Sequence, residues 1–415
     1  MFACGKYGKN NLEVKLMINE VLSTKISENC DVLVCGGGFA GISAALAAAR
    51  QGKKTILLEK EFVLGGLGTA GLVTIYLPLC DGMGRQVSFG IAEELLRLSV
   101  SLGAEAQYPE NWLDSEDNAL RTEKDKRFEV RYNPNLFAIL AEQLLLKENV
   151  KILYGTYAVS VDKTEDKINA VITESKSGRQ AIKVGSVVDA TGDCDIAFLA
   201  GAPTDTFKQG NILAAWYYFL DNSGYQLNSL GVADIPDDQK NGENGVETLV
   251  NRRFTGLDAD EISQMVQLSH NAVLEDIKKR RDRGSDLVPT SIATIPQIRM
   301  TRKLVGEYVL QDTEEHKYFE DSVGMVSDWR KRGPVYEVPF KTLYSGKIKN
   351  LITAGRCTSV TDSMWDIMRV IPCCAVTGQA AGTAAAMTDN FAELDVKKLQ
   401  DKLSKNGVVL HENQL

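Results

Sequence analysis

The chain has 415 residues, of which 44% are hydrophobic and 25% are charged, and its formal net charge is -8. This composition excludes an intrinsically disordered or fibrous protein, and the length predicts two domains or one large domain with an inserted one. The acidic charge argues against nucleic acid or an anionic membrane as the main partner.

The first residues and the cysteines bear on location and on metal binding. The start of the chain is polar, so it predicts neither a signal peptide nor a lipid anchor at Cys4, and no apolar run is long enough to cross a membrane. The eight cysteines and three histidines show no spacing typical of a metal site. We therefore expect a cytoplasmic protein with reduced thiols, no metal and no membrane contact.

The first regular elements predict a strand, a helix and a second strand. Residues 32–35 are apolar, as expected of a buried parallel strand, and residues 40–50 are rich in Ala and Leu, which indicates a helix. Gly52 supplies a left-handed cap after that helix, and residues 55–58 predict the next strand. This order is typical of a βαβ unit of about 30 residues.

A glycine motif occupies the first corner of this unit. Gly36, Gly38 and Gly41 match the pattern G-x-G-x-x-G, and Glu59 ends the second strand. Unpaired backbone N–H groups and the positive end of the helix dipole meet at such a corner, where glycines let a pyrophosphate approach the backbone. A carboxylate placed like Glu59 accepts protons from ribose hydroxyls. The unit predicts a dinucleotide site, and it leaves open whether the ligand is FAD or NAD.

Three later segments extend the pattern. Residues 60–71 contain a second glycine-rich turn, and residues 151–189 give several short strands with turn signals between them. Residues 350–357 predict another buried strand that stops at a glycine, and residues 369–387 predict a helix of small residues. Pro372 fits the first turn of that helix. A simple NAD domain would not contain this combination.

From about residue 31 to residue 387, these motifs together resemble the FAD-dependent oxidoreductase family of glutathione-reductase-type flavoproteins with fumarate-reductase-like topology. The resemblance implies an α/β fold. Its Rossmann-like FAD-binding domain would have a parallel sheet and a β-meander, and an inserted α+β cap would hold the substrate. It also implies that FAD is the cofactor.

The resemblance assigns cofactor contacts to residues along the whole chain. In such families the first glycine corner holds the pyrophosphate, the acidic residue holds the adenosine ribose, and the second glycine turn runs along the ribityl chain. The start of the last helix approaches the flavin pyrimidine ring, where its N–H groups stabilise negative charge. The residues implied are Gly36, Gly38, Phe39, Ala40, Gly41, Glu59, Lys60, Gly65, Gly66, Thr69, Ala158, Ala190, Thr191, Gly192, Gly355, Arg356, Pro372, Cys374, Gly378 and Gln379.

The predicted FAD domain is discontinuous. It comprises residues 29–72, 132–202 and 346–390, and it includes a helix that Asn133 caps and Pro134 begins. Less regular segments with polar loops, such as residues 234–247, predict the cap, which comprises residues 73–131 and 203–345. Residues 1–28 form an N-terminal extension and residues 391–415 a C-terminal tail. The substrate cleft is expected where the cap covers the flavin.

Candidate catalytic residues carry charge or a thiol near the expected flavin. They are Arg85, Arg302, Arg369 and Cys373, and all but Arg369 have a structural alternative. Arg85 belongs either to the flavin face or to a surface loop, and Arg302 either to a substrate site or to an ion-pair network. Arg369 would hold an anion at the flavin while Trp365 walls the site. Cys373 is either reactive or simply a small packing residue. His270, His316 and His411 are expected in polar surroundings without paired partners, so no histidine stands out as a general base.

The main functional hypothesis is hydride transfer between bound FAD and a small polar organic substrate. Only one dinucleotide fingerprint is present, so electrons would be exchanged with the substrate, a diffusing nicotinamide or a partner protein. The alternative is a protein whose FAD has a structural or sensing role, or a tailoring protein of the thiazole-synthase or tRNA-modification type. A homo-oligomer is left open.

Overall fold

The computed structural model describes residues 20–103, 129–231 and 248–415. In chain order its strands are β1 (Lys25–Cys35), β2 (Thr55–Leu58), β3 (Ile75–Tyr76), β4 (Val130–Arg131), β5 (Lys151–Leu153), β6 (Tyr157–Thr164), β7 (Lys167–Ser175), β8 (Gly178–Asp189), β9 (Thr204–Thr206), β10 (Ala215–Asp221), β11 (Gly224–Leu230), β12 (Val288–Ile292), β13 (Arg302–Leu304), β14 (Ser322–Ser327), β15 (Val335–Pro339) and β16 (Leu351–Thr353). Its helices are α1 (Phe39–Ala49), α2 (Ile91–Val100), α3 (Pro134–Lys147), α4 (Asp195–Ala200), α5 (Ala259–Asp282), α6 (Asp362–Met368), α7 (Ile371–Ala385) and α8 (Val396–Lys405). Cys4 and the predicted polar loop at 234–247 lie outside the described residues.

The main sheet has seven strands in the order β5-β2-β1-β8-β7-β6, with β16 beside β8. β1 pairs in parallel with β2 and with β8, and Val32 lies opposite Thr55. β8 pairs antiparallel with β7 and parallel with β16. The parallel sheet and the meander predicted from the sequence are confirmed. β1 begins at Lys25, inside the predicted extension, because Lys25 pairs with Gln180 of β8.

Helices α1 and α7 pack on each other with almost no side-chain volume between them. A Cβ added at Gly378 would overlap the carbonyl oxygen of Ala40, and one added at Gly382 would overlap that of Ala44. Two glycines four residues apart lie on one helix face, so the two backbones touch along that face. The contact places the first turn of α1 beside the middle of α7.

A second, antiparallel sheet lies between residues 215 and 292, within the predicted cap. β10 pairs with β11 and β12, and Tyr217 lies opposite Ile292. The long helix α5 packs on this sheet, where Tyr217 and Phe219 are buried together with Val273 and Leu287. The predicted α+β character of the insertion is confirmed, whereas the domain boundaries stay a prediction.

The predicted helix cap before α3 is confirmed. Oδ1 of Asn133 accepts hydrogen bonds from the backbone N–H groups of Asn135 at 3.0 Å and Leu136 at 3.1 Å. Pro134 is the first residue of the helix, where its missing N–H would have no partner anyway. Within the described ranges, no helix combines the length and the apolar character that crossing a membrane requires.

The contact between α1 and α7 predicts the effect of Gly382→Ala. The added methyl group meets backbone atoms that no side-chain rotation can move, so overpacking should outweigh the better helix propensity of Ala. We expect the free energy of unfolding to fall by about 1–3 kcal/mol, measured by urea denaturation of the cofactor-free protein. Gly38→Ala is the matched control, since no atom lies within 4 Å of its added Cβ. Equal stability of both variants would contradict this account of the helix contact.

Candidate functional site

The glycine corner between β1 and α1 contains two kinds of glycine. Gly36 has a φ of +102°, and a Cβ there would overlap the carbonyl oxygen of Ala190, while a Cβ on Gly41 would overlap that of Gly36. These two glycines let the chain pack tightly on β8. Gly38 has an ordinary φ of -69° and no atom within 4 Å of its Cβ position. It therefore faces open space at the start of α1, where N–H groups of the first turn have no partner within the helix.

Glu59 lies at the end of β2 and is 5% exposed. Its Oε2 accepts the N–H of Gly37 at 2.7 Å and its Oε1 accepts the N–H of Glu61 at 2.8 Å. Burial raises the pKa of this carboxyl, and the two backbone hydrogen bonds oppose that rise. Because each carboxylate oxygen can accept more than one hydrogen bond, Glu59 keeps acceptor capacity toward the adjoining cleft.

The second glycine turn lies directly against the first. The N–H of Gly65 donates to the carbonyl oxygen of Gly37 at 2.8 Å, and residues 66–68 form one 3-10 turn. The hydroxyl of Thr69 donates back to the carbonyl oxygen of Leu64 at 2.5 Å, which closes the turn. Gly66 consequently lies close to Gly38, because a Cβ added to Gly66 would be 3.3 Å from the Cα of Gly38.

Asp189 holds the segment of the site that follows β8. It ends β8, it is fully buried, and its Oδ1 accepts the N–H and the hydroxyl of Thr191 at 3.1 and 2.7 Å. Its Oδ2 accepts the N–H of Ala197 in α4 at 2.9 Å. Burial raises the pKa of Asp189, while these hydrogen bonds oppose the rise. The carboxylate thereby holds the corner in which Gly192, with a φ of +83°, reaches the cleft.

Arg356 follows β16 and packs against that corner. Its Nη1 donates to the carbonyl oxygen of Ile298 at 2.6 Å, and its Nη2 lies 3.6 Å from a carboxylate oxygen of Asp193. A Cβ on Gly192 would overlap this guanidinium. The left-handed glycine is thus required both by the backbone and by the arginine that covers it.

Arg369 precedes α7 and is a buried cation, with a side chain that is 7% exposed. Its Nε and Nη2 donate to Oδ1 of Asp366 at 3.0 and 2.5 Å. Asp366 also lies 3.7 Å from Arg330, which pairs with Asp328 at 3.0 Å. Among the described residues, Nη1 of Arg369 has no hydrogen-bond partner.

Cys374 lies in the first turn of α7 and its thiol points to the backbone. The Sγ donates to the carbonyl oxygen of Arg369 at 3.3 Å. Burial raises the pKa of Cys374 to about 12, and the positive charges of Arg356 and Arg369 oppose the rise. At neutral pH Cys374 is therefore a neutral thiol.

One cleft of about 360 Å³ joins these segments, a volume usual for small-molecule sites. The glycine corner and Glu59 lie along it together with Arg356, Arg369 and Cys374. The predicted cofactor and catalytic residues that line it are Gly36, Gly38, Phe39, Ala40, Glu59, Lys60, Gly65, Gly66, Ala158, Ala190, Thr191, Gly192, Arg356, Arg369 and Cys374.

Several predicted cofactor residues lie behind the described cleft wall instead. Gly378 serves the contact with α1, and Gln379 accepts the N–H of Ile91 at 2.8 Å, so it caps α2. The N–H of Gly355 donates to the hydroxyl of Thr377 at 2.9 Å. The same holds for three more predicted residues that support neighbours in the cleft wall, which are Gly41, Thr69 and Pro372.

Three predicted catalytic residues also do not line the described cleft: Arg85, Arg302 and Cys373. Arg85 pairs with Asp81 at 3.0 Å and with Glu412 at 2.6 Å, which fastens the C-terminal tail. Arg302 pairs with Asp195 at 3.3 Å and covers the ring of Phe198, as the ion-pair alternative expected.

Cys373 is 2% exposed in the main core, where burial raises its pKa well above the usual range. Its packing alternative therefore fits the structure.

Two expectations about ring side chains need correction. Trp365 does not wall the described cleft, because it is fully buried and donates to the carbonyl oxygen of Arg356 at 2.8 Å. His316 and His411 are not unpartnered, since they pair with Glu412 at 2.8 Å and Glu337 at 2.9 Å.

Sequence reasoning missed some residues of the cleft. Asp193 and Asp195 line it directly after the Thr-Gly corner, and their position next to that corner was a usable signal. Burial, together with the charges of Asp193 and Asp189, raises the pKa of Asp195 to about 6. Residues 294–296, in the predicted cap, also line the cleft, and no pattern in the sequence marks them.

These residues fit a dinucleotide. No atom lies within 4 Å of a Cβ added at Gly38, and the first turn of α1 offers N–H groups there. Glu59 has acceptor capacity beside them. An added side chain at Gly38 would fill the space where a pyrophosphate would lie.

Curated relatives match short segments of the chain. A thioredoxin reductase from Ureaplasma parvum is 34% identical over 76 residues, or 18% of this chain and 25% of that protein. An NADH:acrylate oxidoreductase from Vibrio harveyi is 44% identical over 62 residues, or 14% of this chain and 6% of that protein. The matched part is thus at most 25% of the length of either relative.

Solved structures match more of the chain at low identity. A p-nitrophenol 4-monooxygenase from Pseudomonas putida has a TM-score of 0.45 and 12% identity, covering 91% of this chain and 85% of its own. A geranylgeranyl bacteriochlorophyll reductase-like protein from Thermoplasma acidophilum has a TM-score of 0.44 and 13% identity, covering 91% and 82%.

A family model matches almost the whole chain. The family described as FAD dependent oxidoreductase matches residues 31–215 and 222–403, which include the glycine corner, both walls of the cleft and α7. The chain belongs to the FAD dependent oxidoreductase family, and FAD is its cofactor.

Proposed function

We propose that FAD lies along the cleft and that the protein oxidises or reduces a small polar organic substrate at the arginine end. The observation that carries this proposal is the composition of the cleft. Gly38 and Glu59 line it together with Arg356, Arg369 and the start of α7. We assign Gly38 and Glu59 to the nucleotide end, and Arg369 and the start of α7 to the other, arginine end. Residues 294–296 of the predicted cap lie along the same space, where they would cover a bound substrate.

The residues of the cleft divide among the parts of the cofactor. We assign the pyrophosphate to Gly36, Gly38 and the first turn of α1, and the adenosine ribose to Glu59. The backbone at Ala158 would meet the adenine and Thr191 the AMP half. The first turn of α7 would donate N–H groups to the flavin pyrimidine ring. When bound, FAD supplies the chemistry of taking up and releasing an electron pair.

Arg369 is the residue to which we assign anion binding at the arginine end. Its side chain is 7% exposed, and Asp366 fixes two of its three nitrogens. The remaining Nη1 is left to bind a negative charge, which is a strong interaction where water is excluded. Asp366 acts as a positioning residue, because it holds the guanidinium plane without lining the described cleft itself.

The electron partner is the substrate, a diffusing nicotinamide or another protein. A single dinucleotide corner is present in the sequence, so a built-in second nucleotide site is not expected. We keep the prediction that the protein works in the cytoplasm, where cysteines stay reduced.

A stopped-flow screen tests the proposed reaction. The oxidised and the dithionite-reduced holoenzyme would be mixed with sugars, hydroxy acids, amines, quinones and nicotinamides while the flavin spectrum is followed. We expect at least one organic compound to change the oxidation state of the flavin. If only a protein partner did so, the small-molecule reaction would be wrong.

Gly38→Ala is expected to weaken FAD binding at least 10-fold, or about 1.4 kcal/mol. The new methyl group occupies the space assigned to the pyrophosphate but touches no atom of the protein. Fluorescence titration of the cofactor-free variant with FAD measures the dissociation constant. The urea denaturation midpoint of the same preparation should match the parent, and unchanged FAD affinity would show that the pyrophosphate lies elsewhere.

Glu59→Ala should weaken FAD retention by roughly 10- to 100-fold, because one or two hydrogen bonds to a charged group are lost. Glu59→Gln keeps one acceptor oxygen and should fall between the variant and the parent. Dialysis followed by the ratio of flavin to protein absorbance measures retention. The ribose assignment fails if all three proteins keep the same occupancy.

Arg369→Gln should weaken the binding of sulfite to the enzyme-bound flavin by about 10-fold, since one buried positive charge is removed. Sulfite titration, followed by loss of the yellow absorbance, measures this without a known substrate. Arg85→Gln is the matched control, because Arg85 also pairs with an aspartate but lies at the C-terminal tail. Equal sulfite affinity of both variants would remove Arg369 from the flavin end.

A further inference from the structure

Two buried cysteines meet directly behind the cleft. Cys194 begins the turn into α4 and Cys357 follows β16, and both are fully buried. The N–H of Cys194 donates to Sγ of Cys357 at 3.2 Å. The two sulfur atoms and a carboxylate oxygen of Asp189 lie within 4.8 Å of one another. Segments far apart in the chain thus place two thiols in contact.

The backbone of Cys194 adopts a conformation that favours glycine. Its φ is +56° and its ψ is +36°, in the left-handed region that carries a cost for residues with a Cβ. The Sγ of Cys194 lies within 4.8 Å of the Sγ of Cys357. A cysteine in a glycine conformation, aimed at a second cysteine, points to chemistry between the sulfurs.

A metal ion does not suit this cluster. The carboxylate of Asp189 already accepts from the N–H and hydroxyl of Thr191 and from the N–H of Ala197. The described residues offer three ligand atoms here, one fewer than a structural zinc site needs. The two thiols remain as the reactive pair.

Both cysteines directly follow residues that line the cleft. Asp193 precedes Cys194 and Arg356 precedes Cys357, and the charged ends of Asp193 and Arg356 lie 3.6 Å apart. A ligand that fills the cleft would therefore cover the residues next to both thiols.

We propose that Cys194 and Cys357 form a disulfide on exposure to peroxide, and that bound FAD shields the pair. One thiol attacks the O–O bond of hydrogen peroxide, which gives a sulfenic acid and one water. The second thiol then attacks that sulfur and releases the second water. Two thiols and one peroxide thus yield one disulfide and two waters, with two electrons passing from sulfur to oxygen.

Cys357 is the thiol that attacks first. Burial raises the pKa of both thiols, and the charge of Asp189 adds to the rise for Cys357, but the N–H of Cys194, which donates to the Cys357 sulfur at 3.2 Å, opposes it. Cys357 is therefore the easier of the two to ionise, and the thiolate is the nucleophile. Cys194 then acts as the resolving thiol, already in hydrogen-bond contact.

The test compares cofactor-free and FAD-saturated protein treated with hydrogen peroxide. Unreacted thiols are blocked at intervals, and digested peptides are mapped by mass spectrometry. We expect a peptide pair linking Cys194 and Cys357, two hydrogen masses lighter than the reduced pair, to appear at least 10-fold faster without FAD. The Cys194→Gly variant keeps the left-handed backbone and should lose the link, whereas Cys30→Ala, which removes another buried cysteine, should keep it.

The shielding rests on the proposed position of FAD, while the disulfide itself does not. Absence of the linked peptide in both forms, with normal FAD binding, would overturn the disulfide and leave the proposed function intact. Equal rates in both forms would overturn the shielding and count against the assigned FAD position. Loss of the linked pair in Cys30→Ala would also overturn the assignment.

Discussion

Direct backbone contact between α1 and its neighbours is the constraint on which the rest of the site depends. Gly36 and Gly41 let the first corner press against the end of β8, and Gly378 and Gly382 let α7 press against α1. Because the backbones touch, the first turns of both helices open on the same cleft. Two helix starts at one cleft concentrate unpaired N–H groups there, which suits an anionic cofactor with an electron-accepting ring.

Buried carboxylates hold the residues of the cleft in place through hydrogen bonds. Asp189 is fully buried, yet three donors from the corner and from α4 surround it. Asp366 plays the equivalent part for Arg369. A buried charge is tolerated when it is hydrogen-bonded on all sides, and such networks keep their members in one geometry. Asp189 and Asp366, which do not line the described cleft, thus hold in place residues that do.

Much of the fold was predictable, because it rests on local signals. The strand, glycine corner and helix at residues 32–50, the meander at 151–189 and the cap at Asn133 each follow from a short pattern, and the structure contains all of them. The glycine corner and Glu59 were also predicted as neighbours of one site, and they line one cleft.

The remainder depended on contacts between distant segments. Gly378 and Gln379 were predicted to face the cofactor, but one contacts Ala40 and the other caps α2. The spacing of Gly378 and Gly382 indicates helix packing, and these glycines contact α1 and not the ligand. Arg85 could not be placed because its partner Glu412 lies 327 residues further along the chain. Pairing at that distance leaves no periodic trace in the sequence.

The division of β8 between two neighbours has a consequence for synthesis on the ribosome. Its first half pairs with β7, which precedes it, whereas its last residues pair with β16, which emerges more than a hundred residues later. Until that part of the chain has left the exit tunnel, one edge of β8 stays open and α7 is missing from its place on α1. The nascent protein therefore holds an unprotected strand edge, a known route to aggregation, while residues 190–353 are synthesised. Cofactor capture has to wait for nearly the full length.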